Sequence, residues 1–345
     1  MRLSSEVFYT QGGFLKMKAM IHSGQSGLEG LQYTDSTSRA PEAGEVQIQL
    51  KSAGMNHRDL FIMAGRTFQD TPLILGSDGA GVIVAIGEGV EGLSVGDEVI
   101  IHPTLGWDHA VDVPTVPDIV GGPTDGTLAQ YITLPARNAL PKPSHLSWAE
   151  AGVLSLSALT AYRALFTRGG LKQGEHILIP GIGGGVATYA LLMAVTAGAK
   201  VTVTSRREAK RHEALRLGAF QALDSHADWS LQNDLDPVDF ILDSIGQAMF
   251  PKYFDIIRPG GRIVMYGASS GDDLNVPIRS IFFPQVSLIG TSMGSREEFV
   301  QMLLWVEEHD IHPVIDSIYQ LQDTAKAFER MEKGEQFGNL AILVE

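Results

Sequence analysis

Cysteine is missing altogether from these 345 residues. Disulfides and thiolate-bound zinc are therefore excluded, and a reducing, cytoplasmic setting is the default expectation. No run of about 18 apolar residues occurs, so no membrane-spanning helix is expected. The N-terminus lacks the basic start and apolar run of a secretory signal. Basic residues are scarce: 26 Lys and Arg stand against 40 Asp and Glu, a net charge of −14. That balance argues against a nucleic-acid partner held on a broad basic face. Charged residues reach only 19%, whereas apolar residues reach 44% and glycines number 38. Such a mix suits an α/β enzyme with many tight turns, and the length suits two domains better than one.

From about 17 to 140 the signals are strands and turns. "EVQIQLKSAG" alternates apolar and polar residues, as a half-buried strand does. "GAGVIVAIGEGV" and "VGDEVIIHP" are β-rich runs closed by Gly or Pro, and their spacing predicts a small barrel-like domain. The Pro/Gly/Asp-rich stretch 103–127 reads as a long surface lobe. Upstream, "QGG" and a second start at Met17 suggest that residues 1–16 are a translated leader.

The pattern changes near 147. Ser147 and Glu150 form a capping box, and one helix is expected to run through "AGVLSLSALTAYRAL". Strands and helices then alternate to about 295, which predicts a parallel doubly wound sheet. A second capping box, Ser295 and Glu298, opens a helix whose apolar residues 299, 302, 303 and 306 share one face. A short helix stopped by Gly334 and a final strand, "LAILVE", close the chain.

"PGIGGGVA", Pro180 to Ala187, lies between a strand and a helix, the context of a dinucleotide-binding turn. Glycines let the backbone approach a pyrophosphate, and the helix N-terminus offers free N–H groups. The candidates are Gly183, Gly184, Gly185 and Val186. Against the strict pattern the slots hold Ile182, Gly184 and Ala187, so only the middle glycine is in place. The next strand ends in Ser205, Arg206 and Arg207, with Lys210 one helical step on. Acidic residues there would accept from ribose hydroxyls; arginines suit a 2′-phosphate, which points to NADPH.

"NHRDL", "LGSDGAGVI", "VGDEV", "GGPTDGTLAQY", "LSALTAYRAL", the glycine-rich turn and "RPGGRIVMYG" together resemble the medium-chain dehydrogenase/reductase superfamily over residues 17–345. The resemblance implies an α/β chain with a GroES-like β-rich catalytic domain, 17–150 and 300–345, and a Rossmann domain, 151–299. Zinc alcohol dehydrogenases of that superfamily hold catalytic zinc through Cys, His and Cys. The matching positions here are Asn56, Ser77 with Asp78, and about Leu156, a poor set for zinc, so no metal is expected. The chain looks more like the zinc-free branch, the NADPH-dependent quinone oxidoreductases and enone reductases. That branch implies Asn56 at the nicotinamide, with Arg58 and Asp59 as further catalytic candidates, although a helix-capping or ion-pairing role for Asp59 weighs more. It also implies cofactor contacts at Thr160, Ser244, Gly267, Ala268 and Asn339, a small carbonyl or quinone substrate, and a homodimer paired through "FFPQVSLIGTS". Two alternatives stay open: a zinc-type alcohol dehydrogenase, and a non-catalytic NADPH-binding sensor.

Overall fold

A computed structural model describes residues 13–229 and 236–344. Of the expected leader, residues 1–12 lie outside the described residues. Phe14–His22 forms a strand that pairs antiparallel with Leu31–Arg39, Phe14 opposite Arg39 and His22 opposite Leu31. Residues 14–16 thus extend a strand whose buried side chains, Met17, Ala19 and Met20, begin just beyond them. The chain divides into two units: residues up to Leu156 with Ser295–Phe299 and 315 onward, and Ser157–Gly294 with Val300–Val314.

The first unit is built on the strand Glu45–Gly54. One side of it pairs with Asp78–Ile86. The other is shared: Tyr131–Pro135 takes residues 45–49, and Asn339–Leu343 takes 52–54. Val46, Ile48 and Leu50 point into a core with Ile83, Val99, Leu134, Leu340 and Ile342. All of these are apolar side chains from alternating strands, which is why this face closes without water. The expected lobe 103–127 is not structureless. Thr104–Leu105, Asp118–Val120 and Pro123–Thr124 form a small sheet of their own.

The second unit carries a six-stranded sheet whose pairings are all parallel. Its strands are β1 His176–Ile179, β2 Lys200–Thr204, β3 Gln221–Leu223, β4 Val238–Asp243, β5 Ile257–Met265 and β6 Ser287–Gly290. The order β3-β2-β1-β4-β5-β6 is that of a dinucleotide-binding doubly wound fold. Strands covered on both faces lose polar alternation, and "VDFILD" is buried at every position but Asp239. The helix after β1, Gly185–Thr196, likewise buries Ala187, Tyr189, Ala190, Leu191 and Met193.

Both capping boxes form: Ser147 and Ser295 each accept from the backbone N–H three residues on, and Glu150 and Glu298 reach back. Phe299, Met302, Leu303 and Val306 are buried, as their spacing requires. The single helix expected through 151–165 is broken. It runs Trp148–Gly152, restarts as Ser155–Tyr162 and widens to a π-helix over Arg163–Arg168. The break has a steric cause. A Cβ on Gly152 would meet Ser52 Oγ at 2.2 Å, and one on Gly54 would meet the Gly152 carbonyl at 2.7 Å. The helix end rests directly on the strand backbone, so the chain turns there. In "FFPQVSLIGTS" only Ser287–Gly290 is a strand, preceded by the short helix Arg279–Phe282. No helix of the described residues is long and apolar enough to cross a membrane.

Candidate functional site

In the second unit, the glycine-rich turn is shaped by backbone that only glycine adopts easily. Gly181 has φ +70° and Gly183 φ +137°. Ile182 N–H donates to Thr204 O at 2.8 Å, which fastens the turn to the end of β2. Gly184 is the N-cap of the helix Gly185–Thr196, and a Cβ there would point into open space. Free helix N–H groups and room above them are what a pyrophosphate needs. A Cβ on Gly183 would meet Lys210 Nζ at 2.7 Å, so this ammonium lies against the turn.

At the end of β2, Ser205 is buried and its Oγ accepts from Arg207 N–H at 3.2 Å. Arg206 and Arg207 are exposed, and Arg207 is the N-cap of the helix Glu208–Arg216. Arg211, which sequence reasoning passed over, donates to Ser205 O at 2.8 Å and braces this corner. Its spacing, one turn beyond Arg207, was the available signal.

The ends of β4 and β5 also come together. Asp243 is fully buried; its Oδ1 accepts from Tyr253 O–H at 2.6 Å and from Ile245 N–H at 2.9 Å, its Oδ2 from Gly246 N–H at 3.0 Å. Burial pushes its pKa up, against these donors. The capped turn presents Ser244, and a Cβ on Gly267 would meet Ser244 Cβ at 3.3 Å. Ser269 N–H donates to Ser244 O at 3.0 Å, so the two loops are laced beside Gly267 and Ala268. Thr160 lies buried on the helix Ser155–Tyr162.

In the first unit, "NHRDL" opens the helix His57–Gly65 with Asn56 as N-cap. Asp59, fully buried, accepts from Asn56 N–H at 2.9 Å and so caps this helix. The Asn56 side chain donates through Nδ2 to Asp78 Oδ2 at 2.8 Å. Asp78 Oδ1 accepts from Leu156 N–H at 2.6 Å, and Asp78 O accepts from Thr127 O–H at 2.6 Å. Arg58 donates to Ser77 Oγ at 2.7 Å and to Gly122 O at 3.1 Å, and Ser77 donates onward to Val120 O at 2.7 Å. Burial raises Asp78 to about 7 and Asp59 to about 6; hydrogen bonds and the Arg58 charge pull both back only in part. Burial also lowers Arg58 from the usual arginine range. Asn339 begins the strand Asn339–Leu343 and is buried.

The structure thus joins Asn56 to Asp59 and Asp78, Gly183 to Lys210, and Ser244 to Gly267. The hub of the first cluster, Asp78, was missed in this role because nothing local marks it. Its partners lie 22 and 78 positions away in sequence. Among the described residues, no three His, Asp or Glu side chains gather as metal ligands.

Residues 185–308 match the family model described as zinc-binding dehydrogenase, and residues 42–144 match the alcohol dehydrogenase GroES-like domain. A zinc-type alcohol dehydrogenase-like protein of Leptosphaeria maculans is 34% identical, over 90% of this chain and 94% of that protein. A crotonyl-CoA reductase of Streptomyces avermitilis is 29% identical, over 78% of this chain and 68% of that one. A crystal structure of an NAD-dependent alcohol dehydrogenase aligns with a TM-score of 0.88 at 32% identity, covering 95% of this chain and 100% of that one. The strand order, the glycine-rich turn and these likenesses agree on an oxidoreductase that binds a nicotinamide cofactor, and the chain belongs to the medium-chain dehydrogenase/reductase superfamily.

Proposed function

We propose that the chain is an NADPH-dependent reductase that works without zinc and delivers a hydride to an α,β-unsaturated carbonyl or a quinone. One observation carries this reading: the positions where zinc-type relatives would place ligands are tied into a hydrogen-bonded cluster of Asn56, Asp78 and the Leu156 backbone. Without a Lewis acid an alcohol is not polarised toward alkoxide, so oxidation of simple alcohols is disfavoured. A conjugated carbonyl or quinone accepts hydride more readily. The named activity of the crotonyl-CoA reductase relative supports that substrate class.

The bound nicotinamide supplies the hydride. The glycine turn, with Gly183, Gly184, Gly185 and Val186, holds the pyrophosphate. Ser205, Arg206, Arg207 and Lys210 favour the 2′-phosphate. Thr160, Ser244, Gly267, Ala268 and Asn339 position the nicotinamide end. Asn56 meets the reacting end of the cofactor, and Arg58 and Asp59 keep the loop that carries it in place. Solvent provides the proton that balances the transferred hydride. The edge strand β6, beside exposed Ile278, Phe282 and Phe283, supports pairing of two copies. Sedimentation showing only monomer at micromolar concentration removes that element.

The test is NADPH oxidation against a panel of enones and quinones, with NADH and with a metal chelator in parallel arms. Chelator-insensitive turnover that prefers NADPH is expected. Turnover abolished by chelator, or a preference for NADH with simple alcohols, overturns the reading. Tight NADPH binding with no turnover across the panel assigns a sensor instead.

A further inference from the structure

The end of β2 carries a charge pattern that its exposed arginines alone do not explain. Ser205 N–H donates to Leu223 O at 3.1 Å, so Asp224, the residue after β3, emerges beside Ser205. Asp224 is held firmly there. Its Oδ1 accepts from His226 N–H at 2.8 Å, and its backbone O accepts from Trp229 Nε1–H at 3.0 Å. The loop behind it is pinned as well. Lys252 Nζ donates to Ser225 O at 2.8 Å and to Ala227 O at 2.9 Å, and Ser225 Oγ donates to Thr204 Oγ1 at 3.0 Å. A carboxylate fixed at this corner can accept from ribose hydroxyls, and it repels a 2′-phosphate. Asp224 therefore stands against the preference that Arg206 and Arg207 imply.

Arg211 resolves the conflict. It lies half-buried on the helix Glu208–Arg216 and touches both strand ends. Its Nη1 donates to Ser205 O at 2.8 Å and reaches Asp224 Oδ2 at 3.4 Å. We propose that Arg211 is a positioning residue for cofactor choice: it engages Asp224 and cancels its charge, so that Arg206, Arg207 and Lys210 set the sign of the corner. The inference rests on the NADPH reading and gives it a second determinant, one that acts through Asp224.

Arg211→Gln tests this, because it removes the charge and keeps a donor for Ser205 O. Dissociation constants for NADPH and NADH are read by nucleotide fluorescence at low ionic strength, where charge effects are least screened. NADPH is expected to weaken about tenfold while NADH stays within about twofold, since the uncovered carboxylate opposes only the phosphorylated nucleotide. Adding Asp224→Asn is expected to recover most of the lost NADPH affinity, which a merely structural role for Arg211 would not produce. Equal losses for both nucleotides overturn the proposal, as does a double variant that binds NADPH no better than Arg211→Gln. If Arg211→Gln does not fold, Arg211→Lys takes its place. It keeps the charge, so an NADPH preference within about threefold of the wild type is expected; a folded lysine variant that loses the preference overturns the proposal. The two readings fail separately. A wild type that binds NADH more tightly sinks the NADPH reading, whereas an affinity ratio indifferent to position 211 sinks this one.

Discussion

The candidate residues of the two units are set up by opposite means. In the second unit the glycine-rich turn works through bare backbone, and its cations, Arg206 and Arg207, stand in solvent. In the first unit Asn56, Asp59 and Asp78 are side chains sealed from water and fastened to one another. A phosphate is a broad, strong charge that exposed and adaptable donors can hold. Choosing between the two ends of a small amide needs rigid, buried partners. The difference teaches that specificity for charge and specificity for orientation demand different dielectric surroundings.

That contrast can be broken from either side. Gly152→Ala should be the most damaging change, because the new Cβ meets Ser52 Oγ at 2.2 Å. A loss of about 3 kcal/mol in chemical denaturation is expected, and it would fall on the rigid half alone. Gly183→Ala attacks the backbone half, where φ is +137° and Lys210 Nζ would lie 2.7 Å from the added carbon. Binding of either nucleotide should weaken by about two orders of magnitude, with stability less affected; unchanged affinity would show that the turn does not touch the pyrophosphate. Arg206→Ala with Arg207→Ala should weaken NADPH about tenfold and leave NADH unaltered. Equal losses for both nucleotides would remove the 2′-phosphate from this corner.

The smallest effect concerns pH. Asp78 is raised by burial to about 7, well above the usual carboxylate range, so the folded chain holds protons that the unfolded chain releases. Its contribution to stability is complete below the unfolded value and is lost as pH rises through the folded one. Between pH 6 and 7 the unfolding free energy should therefore fall, and by about 1 kcal/mol less in Asp78→Asn than in the wild type. Parallel pH curves for the two proteins would show that Asp78 is not the group responsible.

Local rules foretold much of this molecule. The capping boxes at Ser147 and Ser295 and the buried stripe of Phe299, Met302, Leu303 and Val306 depend on neighbours three or four positions apart, and spacing reveals those. The parallel sheet followed from strands and helices that alternate in sequence. The break after Gly152 did not show, because its cause is Ser52, a residue on a distant strand. Asp78 at the centre of the Asn56 cluster did not show for the same reason. Lys210 was singled out for a 2′-phosphate, but its contact with Gly183 depends on how a helix packs over a turn, and no periodicity records that.

The pairing of Asn339–Leu343 with Glu45–Gly54 has a consequence for how this protein comes into being. Ala53 finds its partner Ile342 only after a strand nearly 290 positions further along has left the ribosome. The nucleotide-binding sheet, whose strands follow one another closely, can close long before then. During synthesis the barrel-like unit is left with an unpaired stretch at 52–54, exposed to wrong partners until residues 341–343 emerge.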